Sequence, residues 1–82
     1  MKKIVIYTTN SCPYCVRAKD LLKRKNAAFE EVNVEDPEER NKMVLKAAGK
    51  RSVPQIFIGD FHVGGCDDLY ALDQSGKLDG ML

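Results

Sequence analysis

Lys3-Ile4-Val5-Ile6-Tyr7-Thr8-Thr9-Asn10-Ser11-Cys12-Pro13-Tyr14-Cys15 decides the reading of this chain. Lys3 to Tyr7 is β-branched and apolar without alternation, the pattern of a strand buried on both faces at the centre of a sheet. A short polar loop then delivers two cysteines at C-x-x-C spacing. Tyr14, Cys15, Ala18, Leu21 and Leu22 recur at three- and four-residue intervals, which predicts a helix from about Pro13 to Lys25 with these five on its inward stripe. Pro13 suits the first helical position and leaves Cys12 as the cap. Cysteines so spaced can bridge or share a metal. At a strand-to-helix junction, and without the second pair of ligands that zinc usually takes, they read as a redox pair.

Downstream, Asn26 ends the helix and Phe29 to Val34 reads as a second, more exposed strand, giving a β-α-β crossover with parallel strands. Asp36-Pro37-Glu38-Glu39 supplies a cap, a first-turn proline and early acids, and Met43, Val44, Ala47 and Ala48 form the expected buried stripe before Gly49. Gln55 to Ile58 and Phe61 to Val63, joined by Gly59-Asp60, predict an antiparallel hairpin. Gly64-Gly65 breaks that hairpin, and a last helix is expected from Asp67-Asp68 through Leu69, Ala71 and Leu72 to Gly76. The order is β-α-β-α-β-β-α, with no repeat or linker.

At 82 residues and 44% hydrophobic, the chain fits one domain with one modest core. A net charge of +1 argues against a dedicated nucleic-acid binder. The balance is uneven, because residues 1 to 25 carry seven basic groups against Asp20 alone, placing positive charge around the cysteine pair. No apolar run approaches the length of a membrane span, and Met1-Lys2-Lys3 leads straight into a strand without a signal-peptide core, so a cytoplasmic protein with no membrane partner is expected. Three cysteines do not resemble the even-numbered framework of a secreted domain.

Only a thiolate attacks a disulfide, and a free cysteine with a pKa of about 8.5 is mostly protonated at neutral pH. At a helix N-terminus Cys12 meets unpaired N–H groups and the positive end of the dipole, both favouring its anion, with Arg17, Lys19 and Lys23 adding to the field. Cys15, one turn in, is expected to be buried. Cys12 is therefore the expected nucleophile and Cys15 the resolving thiol that closes a Cys12–Cys15 bridge. The plain alternative, an inert disulfide or core filler, sits poorly at a helix start.

Cys12-Pro13-Tyr14-Cys15, Ser52-Val53-Pro54 and Gly64-Gly65-Cys66-Asp67-Asp68 occur in that order on these elements, and in this the chain resembles the small dithiol glutaredoxins of bacteria, in the thioredoxin-fold superfamily. The resemblance covers nearly the whole chain. It implies an α/β thioredoxin-like fold, a four-stranded mixed sheet flanked by three helices. It further implies a glutathione-dependent thiol-disulfide oxidoreductase with no permanently bound cofactor and glutathione as co-substrate. The partners implied are disulfide-containing or glutathionylated proteins, with ribonucleotide reductase among the candidates, and the protein is expected to be a monomer.

By the same resemblance, Val53-Pro54 is cis and the Val53 backbone pairs with the cysteinyl unit of glutathione, beside Tyr14 and Ser52. Gly65, Cys66, Asp67 and Asp68 would take its γ-glutamyl end, the carboxylate on N–H groups opening a helix and the ammonium near an aspartate. A capped turn is the plainer reading of that segment and is compatible with the ligand role. Many relatives carry a lysine where this chain has Thr9, and Lys50, Arg51 and Asn41 are candidates for the missing carboxylate contact. Cys66 reads first as a small buried side chain beside the groove, and second as a regulatory thiol. His62, the only histidine, reads as a hairpin side chain rather than a catalytic base.

Two other functions use the same cysteines. One is a redoxin reduced by a thioredoxin reductase, against which the Gly64–Asp68 segment counts. The other is an iron-sulfur or zinc carrier through Cys12, which the resemblance disfavours at Pro13 and Tyr14.

Overall fold

The computed structural model describes residues 2–82, so the expectation for Met1 lies outside it. Four strands, β1 (Ile4–Thr8), β2 (Glu30–Asn33), β3 (Gln55–Ile58) and β4 (Phe61–Gly64), form one sheet in the order β2-β1-β3-β4. The crossover helix α1 (Pro13–Arg24) makes β1 and β2 parallel, whereas β3 runs antiparallel to both β1 and β4. The unbroken apolar run thus occupies a central position, and the charged β2 occupies an edge. Helices α2 (Pro37–Lys46), α3 (Cys66–Gln74) and the short α4 (Lys77–Met81) complete the chain. No described helix is long and apolar enough to cross a membrane.

Side chains alternate across the sheet, so β1 feeds two cores. Ile4 and Ile6 face Ala18, Leu21 and Leu22 of α1, with Ile56, Ile58, Val63, Cys66, Leu69 and Leu78 closing that side. Tyr7 faces the other way, onto Val34 and Met43. That second core is thinner, with Val5, Val32, Val44, Val53 and Phe57 only partly covered.

Helix ends follow the sequence chemistry. The Asp36 carboxylate accepts from the Glu39 N–H at 3.2 Å and Pro37 occupies the first position of α2. One expected stripe residue of α2 differs. Ala48 is exposed at a φ of 55°, because α2 stops at Lys46 and the chain turns through a left-handed residue before Gly49. Ala71 is exposed on α3, whose inward side is carried by Leu69 and, in part, Leu72. The last turn, α4, lies past the expected end at Gly76 and is anchored by the fully buried Leu78.

A register shift marks the end of the hairpin: Ile56 opposes Gly64 while Phe57 opposes His62, leaving Val63 as the extra residue of a bulge. The bulge turns the chain through Gly64, at a φ of 111°, into the start of α3.

Candidate active site

Cys12 occupies the N-cap of α1 with an extended backbone, and its sulfur accepts from the Cys15 N–H at 3.1 Å. The two cysteines form a disulfide with their Cα atoms 5.1 Å apart. Their environments differ as the periodicity predicts: Cys15 is 1% exposed within the α1 stripe, whereas Cys12 is partly open. Tyr14 departs from the stripe. It is 55% exposed, because a residue adjacent to the inward Cys15 is rotated away from the core, and the Arg17 guanidinium lies 6.0 Å from its ring centre.

The Val53–Pro54 peptide is cis, and the Val53 carbonyl oxygen lies 3.8 Å from Cys12 Sγ. Two side chains grip the segment before it. Arg40 of α2 donates from Nε and Nη2 to the Arg51 carbonyl at 3.0 and 2.8 Å, and Gln55 Nε2 donates to the Ser52 carbonyl at 2.9 Å. On the third side, the Gly65 N–H donates to Asp68 Oδ2 at 2.9 Å, which caps α3, and both Asp67 and Asp68 are exposed.

Tyr14, Ser52, Val53, Pro54, Gly65, Cys66, Asp67 and Asp68 all line one open groove of about 220 Å³, together with Lys50 and Gln55. Three segments far apart in sequence meet there, beside the disulfide. Of the three candidates for the position opened by Thr9, Lys50 reaches the groove, whereas Arg51 Nη1 donates to Asn41 Oδ1 at 3.4 Å.

A family model described as glutaredoxin matches residues 4–63. The chain belongs to the glutaredoxin family. It is 58% identical over 81 residues to a probable glutaredoxin of Synechocystis sp., covering 98% of this chain and 92% of that one. Glutaredoxin 3 of Escherichia coli K12 is 48% identical over 82 residues, covering 100% and 99%. Among solved structures, a buckwheat glutaredoxin in a complex with glutathione superposes with a TM-score of 0.88 at 29% identity, covering 99% of this chain and 76% of that one. The fold is thus thioredoxin-like, and the cysteine pair is that of a thiol-disulfide oxidoreductase.

In this glutaredoxin the charges near the pair are more committed than the sequence suggests. Lys19 Nζ is held at 3.0 Å by Glu31, whose carboxylate also accepts from the buried Thr8 hydroxyl at 2.7 Å. The Thr8 bond first, and Lys19 second, hold the Glu31 carboxyl below its ordinary value. Lys19 is therefore spent on tying β2 to α1 rather than on the Cys12 field. Arg17 instead lies between two aromatic rings, 5.7 Å from the centre of Tyr70 and beside Tyr14. The third thiol, Cys66, is 4% exposed in the first turn of α3. Burial pushes this thiol up, Arg17 opposes the shift and Asp67 adds to it.

Sequence reading passed over Gln55 and Arg40. Gln55 carried a signal in being polar at the head of an apolar strand. Arg40 carried none, because an arginine on an exposed helix face ordinarily points to solvent.

Proposed function

We propose that this protein is a glutathione-dependent oxidoreductase that reduces glutathione mixed disulfides and protein disulfides, with Cys12 as nucleophile and Cys15 as resolving thiol. One observation carries the proposal: the Cys12–Cys15 disulfide caps α1 beside a groove formed by the Ser52–Pro54 and Gly65–Asp68 segments. The buckwheat relative's glutathione complex supports the choice of reductant.

The Cys15 amide points at the Cys12 sulfur, and in the reduced protein such donation favours the anion. The Cys12 thiolate attacks the glutathione sulfur of a mixed disulfide; an S–S bond forms between them, and the substrate thiolate leaves and takes a proton from water. A second glutathione thiolate then attacks the glutathione sulfur on Cys12. Glutathione disulfide departs and Cys12 is regenerated; one free glutathione is consumed, because the other half of the product comes from the mixed disulfide itself. With a protein disulfide, Cys12 forms a mixed disulfide with the substrate and Cys15 attacks Cys12, leaving the bridge seen here. The groove holds glutathione with the Val53 backbone along its cysteinyl unit and the α3 amides at its γ-glutamyl carboxylate.

Substituting the two cysteines separately tests the assignment. Cys12→Ser should abolish both activities, whereas Cys15→Ser should remove protein-disulfide reduction and retain removal of glutathione from a mixed disulfide. Activity surviving in Cys12→Ser would refute the nucleophile. Turnover with a thioredoxin reductase but none with glutathione would refute the reductant.

A further inference from the structure

Gln55 heads the otherwise apolar β3 and is 1% exposed, yet its side-chain amide is fully bonded. Nε2 meets the Ser52 carbonyl at 2.9 Å and Ser52 Oγ at 3.3 Å, and Oε1 lies 2.6 Å from His62 Nε2. A backbone carbonyl can only accept, so the amide nitrogen must face Ser52. The amide oxygen is then left facing His62, and it too can only accept. His62 Nε2 must therefore carry the proton. The donors run in one direction, from imidazole to amide to main chain. The imidazolium also has a proton on Nε2, so the link survives protonation.

The ring itself is held in place. His62 stacks on Phe57 with 4.6 Å between ring centres and 17° between planes, and Phe57 meets Tyr7 edge-on at 5.7 Å. The Ser52 carbonyl and the Val53 N–H share one planar peptide unit, so fixing the oxygen fixes the direction of the N–H. Arg40 fixes the preceding carbonyl, that of Arg51.

The geometry assigns His62 as a positioning residue for glutathione: through Gln55 it sets the Ser52–Val53 peptide, next to the Val53 carbonyl that lies against Cys12 Sγ. This assignment rests on the glutathione reading above and names a residue outside the groove lining that controls the groove's shape. Its two steps, the relay and its effect on glutathione, are measured separately.

The relay is read by ¹⁵N NMR without glutathione. Neutral His62 should show the Nε2–H tautomer, and His62→Leu should move the Gln55 side-chain amide and the Val53 N–H more than the N–H of Phe61, its own neighbour. An Nδ1–H tautomer, or shifts confined to β4, would overturn the relay. Its effect is read by kinetics with a glutathionylated peptide. His62→Leu should raise KM about threefold to tenfold, the worth of one lost hydrogen bond, with little change in kcat. His62→Gln, which places an amide N–H near the site of Nε2, should restore KM. Equal KM values in wild type and His62→Leu, or no rescue by His62→Gln, would overturn the positioning role. A wild-type protein with no glutathione turnover fails at the earlier reading instead, a result distinguishable from these, and takes the positioning role with it.

Discussion

Gly64 holds a φ of 111°, and a Cβ added there would collide with the Asp68 carboxylate. Both facts come from the bulge that ends β4, since the extra residue forces the backbone into a region that side chains rarely adopt. Gly64→Ala should therefore cost about 1–3 kcal/mol in urea denaturation. Asp68 would also have to swing away from the Gly65 N–H, so the first-turn amides of α3 should exchange faster with solvent. Unchanged stability with unchanged exchange would show that the loop adapts freely. The two cysteines were legible at this scale because a strand end, a C-x-x-C pair and a proline define their positions locally. The Tyr14 orientation was less legible, because a three- or four-residue stripe admits neighbours on either flank and only packing selects among them. Gln55 shows the opposite limit: its polarity was visible, but the partner that satisfies it, His62, is brought near only by the hairpin register.

Lys25, just past α1, spans three elements. Its ammonium is 2.7 Å from Asp73 of α3 and 3.0 Å from Asp79 of α4, and the Asp73 contact first, then Asp79, raises its pKa above the ordinary 10.5. A raised folded-state pKa means that this stabilisation is complete below 10.5 and is lost as pH climbs through the folded value. Lys25→Gln should consequently speed amide exchange in α4 selectively. The difference from wild type should be constant between about pH 6 and 9, shrink above the lysine range and weaken with added salt. Exchange in α4 that ignores the substitution would leave its apolar contacts, through Leu78 and Met81, as its anchor. The α2 start was readable because Asp36 and Pro37 are local signals. The one-turn α4 was not, since Gly76 reads as a stop, Gly80 weakens any helical pattern, and the burial of Leu78 depends on a core assembled elsewhere.

Across the whole molecule, the sheet separates a full core on the α1 and α3 side from a thin one under α2, and the groove is built from both. Cys15 and Cys66 belong to the α1 and α3 side, whereas Val53 packs on the Tyr7, Val34 and Met43 cluster that also seats Arg40's helix. Stability and site geometry should then respond differently to the two cores. Leu22→Ala removes a fully buried side chain from surroundings that cannot collapse and should cost about 3–5 kcal/mol, a large share of the roughly 4–12 kcal/mol expected for a chain of this size. Met43→Ala, ringed by half-covered valines that can move inward, should cost about 2–3 kcal/mol. Despite the smaller loss, Met43→Ala should displace the amide resonances of residues 50 to 53 more than Leu22→Ala does. Glutathione binding, measured by titration, should weaken in the same order. Leu22→Ala disturbing residues 50 to 53 equally would mean that the sheet transmits strain between its faces, and that the two cores act as one.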